Sequence, residues 1–435
     1  MHRDLDIHID GVSKIEGHVD LNVTVRDGKV EDVKLAISEN KRFFHQAIRG
    51  KSAALLPQMV SRICGTCSVA HLTACAEAVE HAWGIQLSEQ SLIQRNLGMY
   101  GLMVRDHAMH LYIFTLPDLY GKDSILEFDG KLERFVHDSF AVKAAGNLLS
   151  RITVGRAVHG TIAQPGGYMK QPTAEECKNS AQELKAVRER VLDLIGVLGA
   201  CDFRFERKSN FVGIVNDDYN FLTGHIHSTA GVCFDETHYW EHLNRVVIPY
   251  SQATAFEFEG REYMVGALAR MNLNRDSLHK DTRRDVGEYL KRFPSMNIFD
   301  NNLAQAIETL HSIDAAVELL ESTDFKQEKP PSLEPKAGEG VGVIEAPRGT
   351  LYYMLSINAD GTVRWGNLVI PSAQNQIKLA NDIRLFLPSV MDLPDDKIRF
   401  ELEKMVRAYD PCMSCASHFL KLKWKGDGKP HIHRH

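Results

Sequence analysis

The chain has 435 residues, 44% of them hydrophobic and 25% charged, which is typical of a globular protein with a large core. Its formal net charge of -6 provides no general attraction for nucleic acid or anionic membranes, so we expect no nucleic-acid partner. A charged N-terminus and the lack of an apolar run of about 18 residues predict no signal peptide and no membrane span. Eight cysteines are too few for a disulfide scaffold and favour a reducing compartment, so we expect a cytoplasmic location.

The first predicted element is a β hairpin over residues 18–35. Apolar and polar residues alternate in this stretch, and Asp27-Gly28 in its middle is a strong turn sequence. An apolar pattern of longer period then predicts a helical middle over residues 87–321. Within it, Thr173 begins a capping box that predicts the start of one long helix.

The last third of the chain contains a predicted linker and a second hairpin. Residues 324–342 are rich in proline, glycine and charge, so we expect an exposed connection there. Residues 351–371 alternate around an Asp-Gly pair and predict the hairpin. We expect residues 1–418 to form a single domain of the α+β class, predominantly helical, followed by a C-terminal extension at 419–435.

Four of the eight cysteines form two CxxC pairs near opposite ends of the chain. The first pair is Cys64 and Cys67, and the second is Cys412 and Cys415. Two such pairs predict a tetrahedral metal site, and their spacing leaves three interpretations open: structural zinc, two unrelated redox pairs, or a catalytic soft-metal centre.

The surroundings of the two pairs favour the catalytic centre. Zinc knots usually close a local loop, whereas these pairs join the two ends of the chain. Polar residues also stand beside them, more than an inert knot requires; they are Arg62, His71, Asp410 and His418. The other four cysteines are expected to be inert buried thiols; they are Cys75, Cys177, Cys201 and Cys233.

Both cysteine motifs match a known family in full. The stretches RICGTC at 62–67 and DPCMSCASH at 410–418 resemble the RxCGxC and DPCxxCxxH signatures of the large, catalytic subunit of nickel-iron hydrogenases, nearest the soluble cytoplasmic subgroup. The resemblance implies a fold with a central bundle of long helices and peripheral β hairpins. It also implies the reversible heterolytic cleavage of dihydrogen to protons and electrons at a thiolate-bridged nickel-iron centre.

The same resemblance implies a role for each of the four cysteines. Cys64 and Cys412 would be terminal nickel ligands, and Cys67 and Cys415 would bridge nickel to an iron that also holds carbon monoxide and cyanide. Thiolates suit such a centre because they prefer soft metals to hard cations. Cys412, terminal and unshared, would be the base that accepts a proton when dihydrogen splits.

Two further motifs resemble the family around the centre. Lys14–His18 is similar to RIEGH, which implies that Glu16 relays protons, although a lysine replaces the usual arginine. Glu345–Gly349 matches EAPRG, which implies that Arg348 and the neighbouring Pro347 lie beside the iron diatomics.

The remaining predicted site residues are polar side chains near these motifs. By resemblance, the hydroxyl of Ser372 bonds a cyanide, and the carboxylate of Asp106 pairs with the arginine region. Asp410 opens the second cysteine motif and joins the predicted catalytic residues. His71, four residues after Cys67, is predicted to donate an N–H to a bridging sulfur.

The chain departs from the family pattern ahead of the first cysteine pair. Residues 42–45 read RFFH where the family commonly has RGFE, whose glutamate binds an accessory magnesium or iron ion. Because histidine is a poor magnesium ligand, His45 and His418 are candidate ligands for an ion whose identity stays open. In the family, a maturation protease usually removes an extension such as 419–435.

Electrons from hydrogen must leave the chain, yet no further cysteine set could hold an iron-sulfur cluster. We therefore expect an iron-sulfur small subunit as partner, with further electron-transfer subunits beyond it. The alternative is a catalytically silent electron-transfer or assembly subunit that keeps the fold but holds a structural metal such as zinc.

Overall fold

The N-terminal segment forms a three-stranded antiparallel sheet in the computed structural model, which describes residues 4–38 and 44–416. Alternate residues of its central strand, from Val19 to Val25, fill the buried face. The turn follows at Asp27 and Gly28, whose φ angles of 49° and 71° lie in the left-handed region. The sheet lies where the alternating pattern predicts a hairpin and adds one strand at Leu5–Ile9.

The strands and helices have the following bounds. The strands are β1 Leu5–Ile9, β2 Val19–Arg26, β3 Lys29–Ile37, β4 Ala163–Gln164, β5 Gly167–Tyr168, β6 Val212–Val215, β7 His225–Ser228, β8 Cys233–Phe234, β9 Leu243–Val247, β10 Thr254–Phe258, β11 Gly338–Ala346, β12 Gly349–Ile357 and β13 Val363–Val369. The α-helices are α1 Phe44–Ala47, α2 Leu56–Val60, α3 Ser68–Trp83, α4 Glu89–Ala108, α5 Leu116–Leu119, α6 Glu133–Val154, α7 Ala174–Gly199, α8 Tyr239–His242, α9 Ala267–Asn274, α10 Lys280–Leu290, α11 Asp300–Ser322, α12 Pro371–Gln374, α13 Gln376–Phe386, α14 Asp395–Ala408 and α15 Met413–Ala416.

Four long helices, α4, α6, α7 and α11, pack together as the central bundle. Helices α4 and α6 approach closely because Gly101 and Gly146 face each other at their crossing, where a methyl group would overlap the opposite backbone. Helix α7 begins at the predicted capping box, in which Thr173 and Glu176 bond each other's backbone N–H groups. The α+β, predominantly helical class is confirmed.

The helical middle predicted over 87–321 is interrupted by the short strands β4 and β5 and, over a longer stretch, between α7 and α9. This stretch contains strands β6 to β10 in two small antiparallel sheets, and its one α-helix, α8, has four residues. Short apolar runs fit either a buried strand or a buried helix, so periodicity alone does not separate the two.

The exposed connection predicted over 324–342 ends earlier than its composition suggests. Residues 338–342 already belong to strand β11, the edge of the sheet β11-β12-β13, and Val341 is buried. Glycines read as a linker signal, but Gly340 and Gly342 instead let the strand lie against the backbone of α3.

Neither described stretch, 4–38 or 44–416, contains a helix with the length and apolarity that crossing a membrane requires.

Candidate metal centre

Four thiols meet where the two ends of the chain come together. Cys67 caps the N-terminus of α3, Cys64 lies just before it, and Cys412 and Cys415 follow α14. Their sulfur atoms all lie within 4.8 Å of one another, and all four residues are buried. Burial raises the pKa of the Cys412 and Cys415 thiols well above the ordinary value, and a bound cation would stabilise their thiolates.

The sulfurs pair across the two motifs. The Sγ–Sγ distance is 3.4 Å between Cys64 and Cys412, 3.0 Å between Cys67 and Cys415, and 3.1 Å between Cys412 and Cys415. The residues predicted from spacing as ligands are therefore brought together. Within the described part of the chain, they are the only group of three or more potential ligands this close.

Glu16 lies against the second cysteine motif. One carboxylate oxygen is 3.0 Å from the sulfur of Cys412 and accepts an N–H from Ser414 at 3.1 Å, while the other is 3.8 Å from the sulfur of Cys64. The backbone of Glu16 forms a bridge with Cys412, and its carbonyl accepts the N–H of Met413. Burial raises the pKa of Glu16 above its ordinary value.

Lys14, the residue that departs from the usual arginine, fixes this segment. Its ammonium donates to Asp118 at 2.6 Å, and Asp118 also receives two bonds from Arg407 at 2.6 and 2.9 Å. Arg407 in turn donates to the carbonyl of Ser13 at 3.1 Å. The cluster therefore joins the segment carrying Glu16 to the end of α14.

Arg348 is held between two carboxylates. Its guanidinium donates to Asp106 at 2.7 Å and to Asp410 at 3.0 Å, and the side chain is only 4% exposed. Its Nε–H is buried without a hydrogen-bond partner. A φ of 46° at Asp410 turns the chain sharply from α14 toward Cys412.

A small cavity of about 10 Å³ lies between Arg348 and three of the four sulfurs. Its walls are mostly apolar and include Pro347, together with Cys67, Cys412 and Cys415. Three polar side chains border it: His71, Arg348 and Ser372. The hydroxyl of Ser372 accepts the N–H of Cys412 at 2.8 Å. The guanidinium and the hydroxyl can both donate hydrogen bonds to a small group bound there.

The comparisons with known proteins agree with this arrangement. The model of the family described as nickel-dependent hydrogenase matches residues 42–145 and 225–418. The chain belongs to this family. It is 30% identical over 423 residues to the sulfhydrogenase 2 subunit alpha of Pyrococcus furiosus, covering 96% of this chain and 100% of the relative. It is 27% identical over 468 residues to the NAD-reducing hydrogenase HoxS subunit beta of Cupriavidus necator, covering 95% and 94%.

Solved structures share the fold of this hydrogenase chain. An NAD+-reducing NiFe-hydrogenase in the H2-reduced state superposes with a TM-score of 0.86 at 24% identity, covering 95% of this chain and 99% of that one. A NiFeSe hydrogenase variant from Desulfovibrio vulgaris Hildenborough gives 0.79 at 21% identity, with the same coverage.

The predicted hydrogenase resemblance is confirmed. The chain is the catalytic subunit of a nickel-dependent hydrogenase, an oxidoreductase that cleaves dihydrogen, and its relatives are named as subunits of larger enzymes. The alternative of a catalytically silent subunit is not supported.

His71 reaches the hydrogenase centre from inside α3. Its Nε2 lies 3.4 Å from the sulfur of Cys415, and its Nδ1 lies 2.7 Å from the hydroxyl of Tyr353. Burial lowers the pKa of His71 to about 4, so the ring is neutral at physiological pH. Tyr353, on β12, is a neighbour that no sequence motif indicated.

His45, a predicted ligand of the accessory ion, bonds the protein backbone instead. The Nε2 of His45 accepts the N–H of Leu368 at 3.1 Å, and burial lowers the pKa of His45 to about 4. The other candidate ligand, His418, and the extension at 419–435 lie outside the described residues. The accessory ion therefore stays a prediction.

The prediction for the other cysteines is wrong for Cys233, which is exposed, and for Cys201, which is only half-buried. Cys233 lies on β8, a two-residue edge strand with one face in solvent, 3.3 Å from His227. Cys75 and Cys177 are buried.

Sequence reasoning missed three buried charged residues near the site. Arg105 donates to the carbonyl of Thr66, inside the first cysteine motif. Arg270 and Glu308 form an ion pair, and Arg270 contacts the loop that carries Arg348. The position of Arg105 directly before the predicted site residue Asp106 could have identified it from the sequence. Arg270 and Glu308 lie in no recognised motif.

Proposed function

We propose that the four cysteines hold a nickel-iron centre, with Cys64 and Cys412 as terminal nickel ligands and Cys67 and Cys415 as bridges to iron. One contact supports this assignment, since Glu16 lies against both proposed terminal ligands, Cys64 and Cys412. Both proposed bridging residues, Cys67 and Cys415, line the cavity together with Cys412. The bound centre would polarise dihydrogen and take up its electrons, and soft thiolate donors suit both metals.

Cys412 and Glu16 form the proposed proton path. The thiolate of Cys412 accepts a proton from dihydrogen, and the Glu16 oxygen at 3.0 Å takes it onward. Glutamate can make this transfer because its carboxylate gains and loses a proton without moving the side chain.

A Glu16→Gln variant tests this path. The amide keeps the shape of the side chain but carries no exchangeable acid proton, so turnover per nickel should fall about 10²- to 10⁴-fold while nickel and iron contents stay unchanged. The matched control is Glu403→Gln, which changes a nearby carboxylate that accepts a hydrogen bond from the hydroxyl of Ser13. Undiminished turnover in Glu16→Gln would exclude Glu16 as the relay.

Arg348, Pro347 and Ser372 form the proposed pocket for carbon monoxide and cyanide on the iron. The unpartnered Nε–H of Arg348 would be free to donate to a cyanide. The hydroxyl of Ser372 accepts from the backbone of Cys412, which leaves its own proton to donate to the other. Asp106 and Asp410 are positioning residues because they orient the guanidinium.

His71 is proposed to donate from Nε2 to the sulfur of Cys415, while Nδ1 accepts from Tyr353. The tyrosine hydroxyl would thereby fix the tautomer of the neutral ring.

An iron-sulfur small subunit is the proposed electron acceptor, with further electron-transfer subunits beyond it. Its binding face would cover the first cysteine motif, where Arg62 and Gly65 are exposed although Cys64 and Cys67 are buried. A cytoplasmic location, an accessory magnesium or iron ion, and a maturation protease acting on 419–435 complete the proposal.

Metal analysis and infrared spectroscopy of the purified native complex test the centre. We expect equal amounts of nickel and iron, with absorption bands of metal-bound carbon monoxide and cyanide. A Cys412→Ser variant should lose nickel, whereas the control Cys75→Ser, in a buried thiol outside the group, should keep it. Zinc without these bands in the mature complex would refute the proposed centre.

A further inference from the structure

Arg270, on α9, is a buried arginine with every donor in use. An arginine side chain has five N–H donors. Those of Arg270 bond both carboxylate oxygens of Glu308 and one of Glu345, each at 2.7 Å, and the backbone carbonyls of Ala346 and Pro347, each at 3.1 Å. The guanidinium therefore has a single fully bonded orientation.

The carbonyls that Arg270 holds belong to the two residues directly before Arg348. Arg270 thus contacts the main chain of the loop that carries the catalytic guanidinium. On the other side of Arg348, Gly349 with φ of 130° packs against Val265 and Gly266, where a methyl group would overlap both. The loop is fixed from both sides by the segment around the start of α9.

Glu308, on α11, connects Arg270 to the second support of Arg348. Besides Arg270, it accepts bonds from Tyr219 at 2.9 Å and from His107 at 3.0 Å. His107 is the neighbour of Asp106, the carboxylate that pairs with Arg348. Burial alone would raise the pKa of Glu308. The positive charge and hydrogen bonds of Arg270 have a larger, opposite effect and lower the pKa to about 2, so the ion pair persists at physiological pH.

We propose that Arg270 is a positioning residue for Arg348. Through its bonds to Ala346, Pro347 and Glu308, it fixes the position and orientation of the Arg348 guanidinium at the metal cavity. The proposal rests on the proposed role of Arg348. Displacement of a catalytic group by about 1 Å can reduce a rate about 100-fold, so a buried residue without contact to the reacting atoms can control turnover.

The competing interpretation is that Arg270 merely stabilises the fold. Arg95 provides the matched comparison, because it is also buried and makes a two-bond ion pair, with Glu80 at 2.6 and 2.8 Å. Neither residue lines the metal cavity. A lysine at either position keeps the charge and has too few donors for the same bonds.

The test compares Arg270→Lys, Arg95→Lys and Arg348→Lys in the purified holoenzyme complex. We expect Arg270→Lys to keep its nickel and iron, to lose turnover about tenfold or more, and to shift the infrared cyanide bands in the same direction as Arg348→Lys. Arg95→Lys should lower thermal stability comparably and leave the bands in place. Wild-type bands and turnover in Arg270→Lys would overturn the proposal.

Two additions keep the outcome decisive. If Arg270→Lys does not assemble, Glu308→Gln provides a milder change, which should shift the same bands in the same direction. If the wild-type complex shows no cyanide bands, the proposed centre fails, and hydrogen exchange of residues 345–349 then tests the positioning role by itself. Faster exchange in Arg270→Lys than in Arg95→Lys would support that role, and equal exchange would refute it.

Discussion

Replacing Arg348 by lysine tests the proposed pocket for the iron ligands. In the wild-type protein, two arms of the guanidinium bond Asp106 and Asp410, and the Nε–H remains available. Lysine keeps a positive charge between the carboxylates but has no donor at the Nε position. The change therefore removes directed hydrogen bonding while it preserves the local charge.

The expected loss follows from the number of donors removed. Loss of one preorganised donor in a site that excludes water typically costs about 2.7–4 kcal/mol, or about 10²- to 10³-fold in turnover. We expect this decrease in hydrogen-dependent reduction of a viologen dye, expressed per nickel. Hydrogen evolution should fall by the same factor, because a change in catalyst leaves the equilibrium of the reaction unaltered.

The control for this experiment is Arg95→Lys, which disrupts a buried two-bond arginine pair outside the cavity. It should keep its turnover per nickel even if its thermal stability drops. Wild-type turnover and unshifted cyanide bands in Arg348→Lys would refute the reasoning, since the charge alone would then be sufficient.

Three further predictions concern stability. Asp118→Asn leaves the buried Arg407 without its closest counter-ion and should reduce the free energy of unfolding by about 3–5 kcal/mol, measured by denaturant titration. Burial raises the pKa of Glu236 to about 7, so the folded state binds its proton more tightly than the unfolded state. Stability is then lost as pH rises from about 4.5 to 7, by up to about 3 kcal/mol, and Glu236→Gln should remove this slope. Gly340→Ala would force a methyl group into the Ala78 carbonyl of α3 and should cost about 1–3 kcal/mol by thermal unfolding.

Each of these changes has a comparison that isolates its cause. Glu403→Gln alters a more exposed carboxylate on the same Arg407 and should cost less than Asp118→Asn; an equal cost would argue against the burial effect. For Glu236→Gln, a pH slope identical to that of the wild type would contradict the prediction. Gly287→Ala, on the open face of α10, should be neutral or stabilising, and an equal loss at Gly287 would remove the steric explanation for Gly340.

Local signals in the sequence were sufficient to predict several elements and the four thiols that cluster in the structure. The alternation around Asp27-Gly28 placed the first hairpin, and the capping box at Thr173 placed the start of α7, because both depend on backbone chemistry within a few residues. The two CxxC motifs identified all four thiols, because few arrangements other than a metal site require paired thiols at both ends of a chain.

Local sequence patterns gave wrong predictions where packing against segments distant in the sequence determines the structure. The glycines of β11 are typical of a linker in the sequence, but in the structure they allow the strand to pack against α3. The strands between α7 and α9 are too short for their apolar period to distinguish strand from helix.

The sequence by itself thus determined the family, the four thiols that meet in the core and the main periodic elements. The tertiary structure alone decided which side chains support them. Arg270 and Glu308 carry no motif, and they meet only because α9 and α11 pack beside the loop at Ala346. A buried arginine is stable only where carboxylates and carbonyls converge on it, and that convergence exists only in the folded chain.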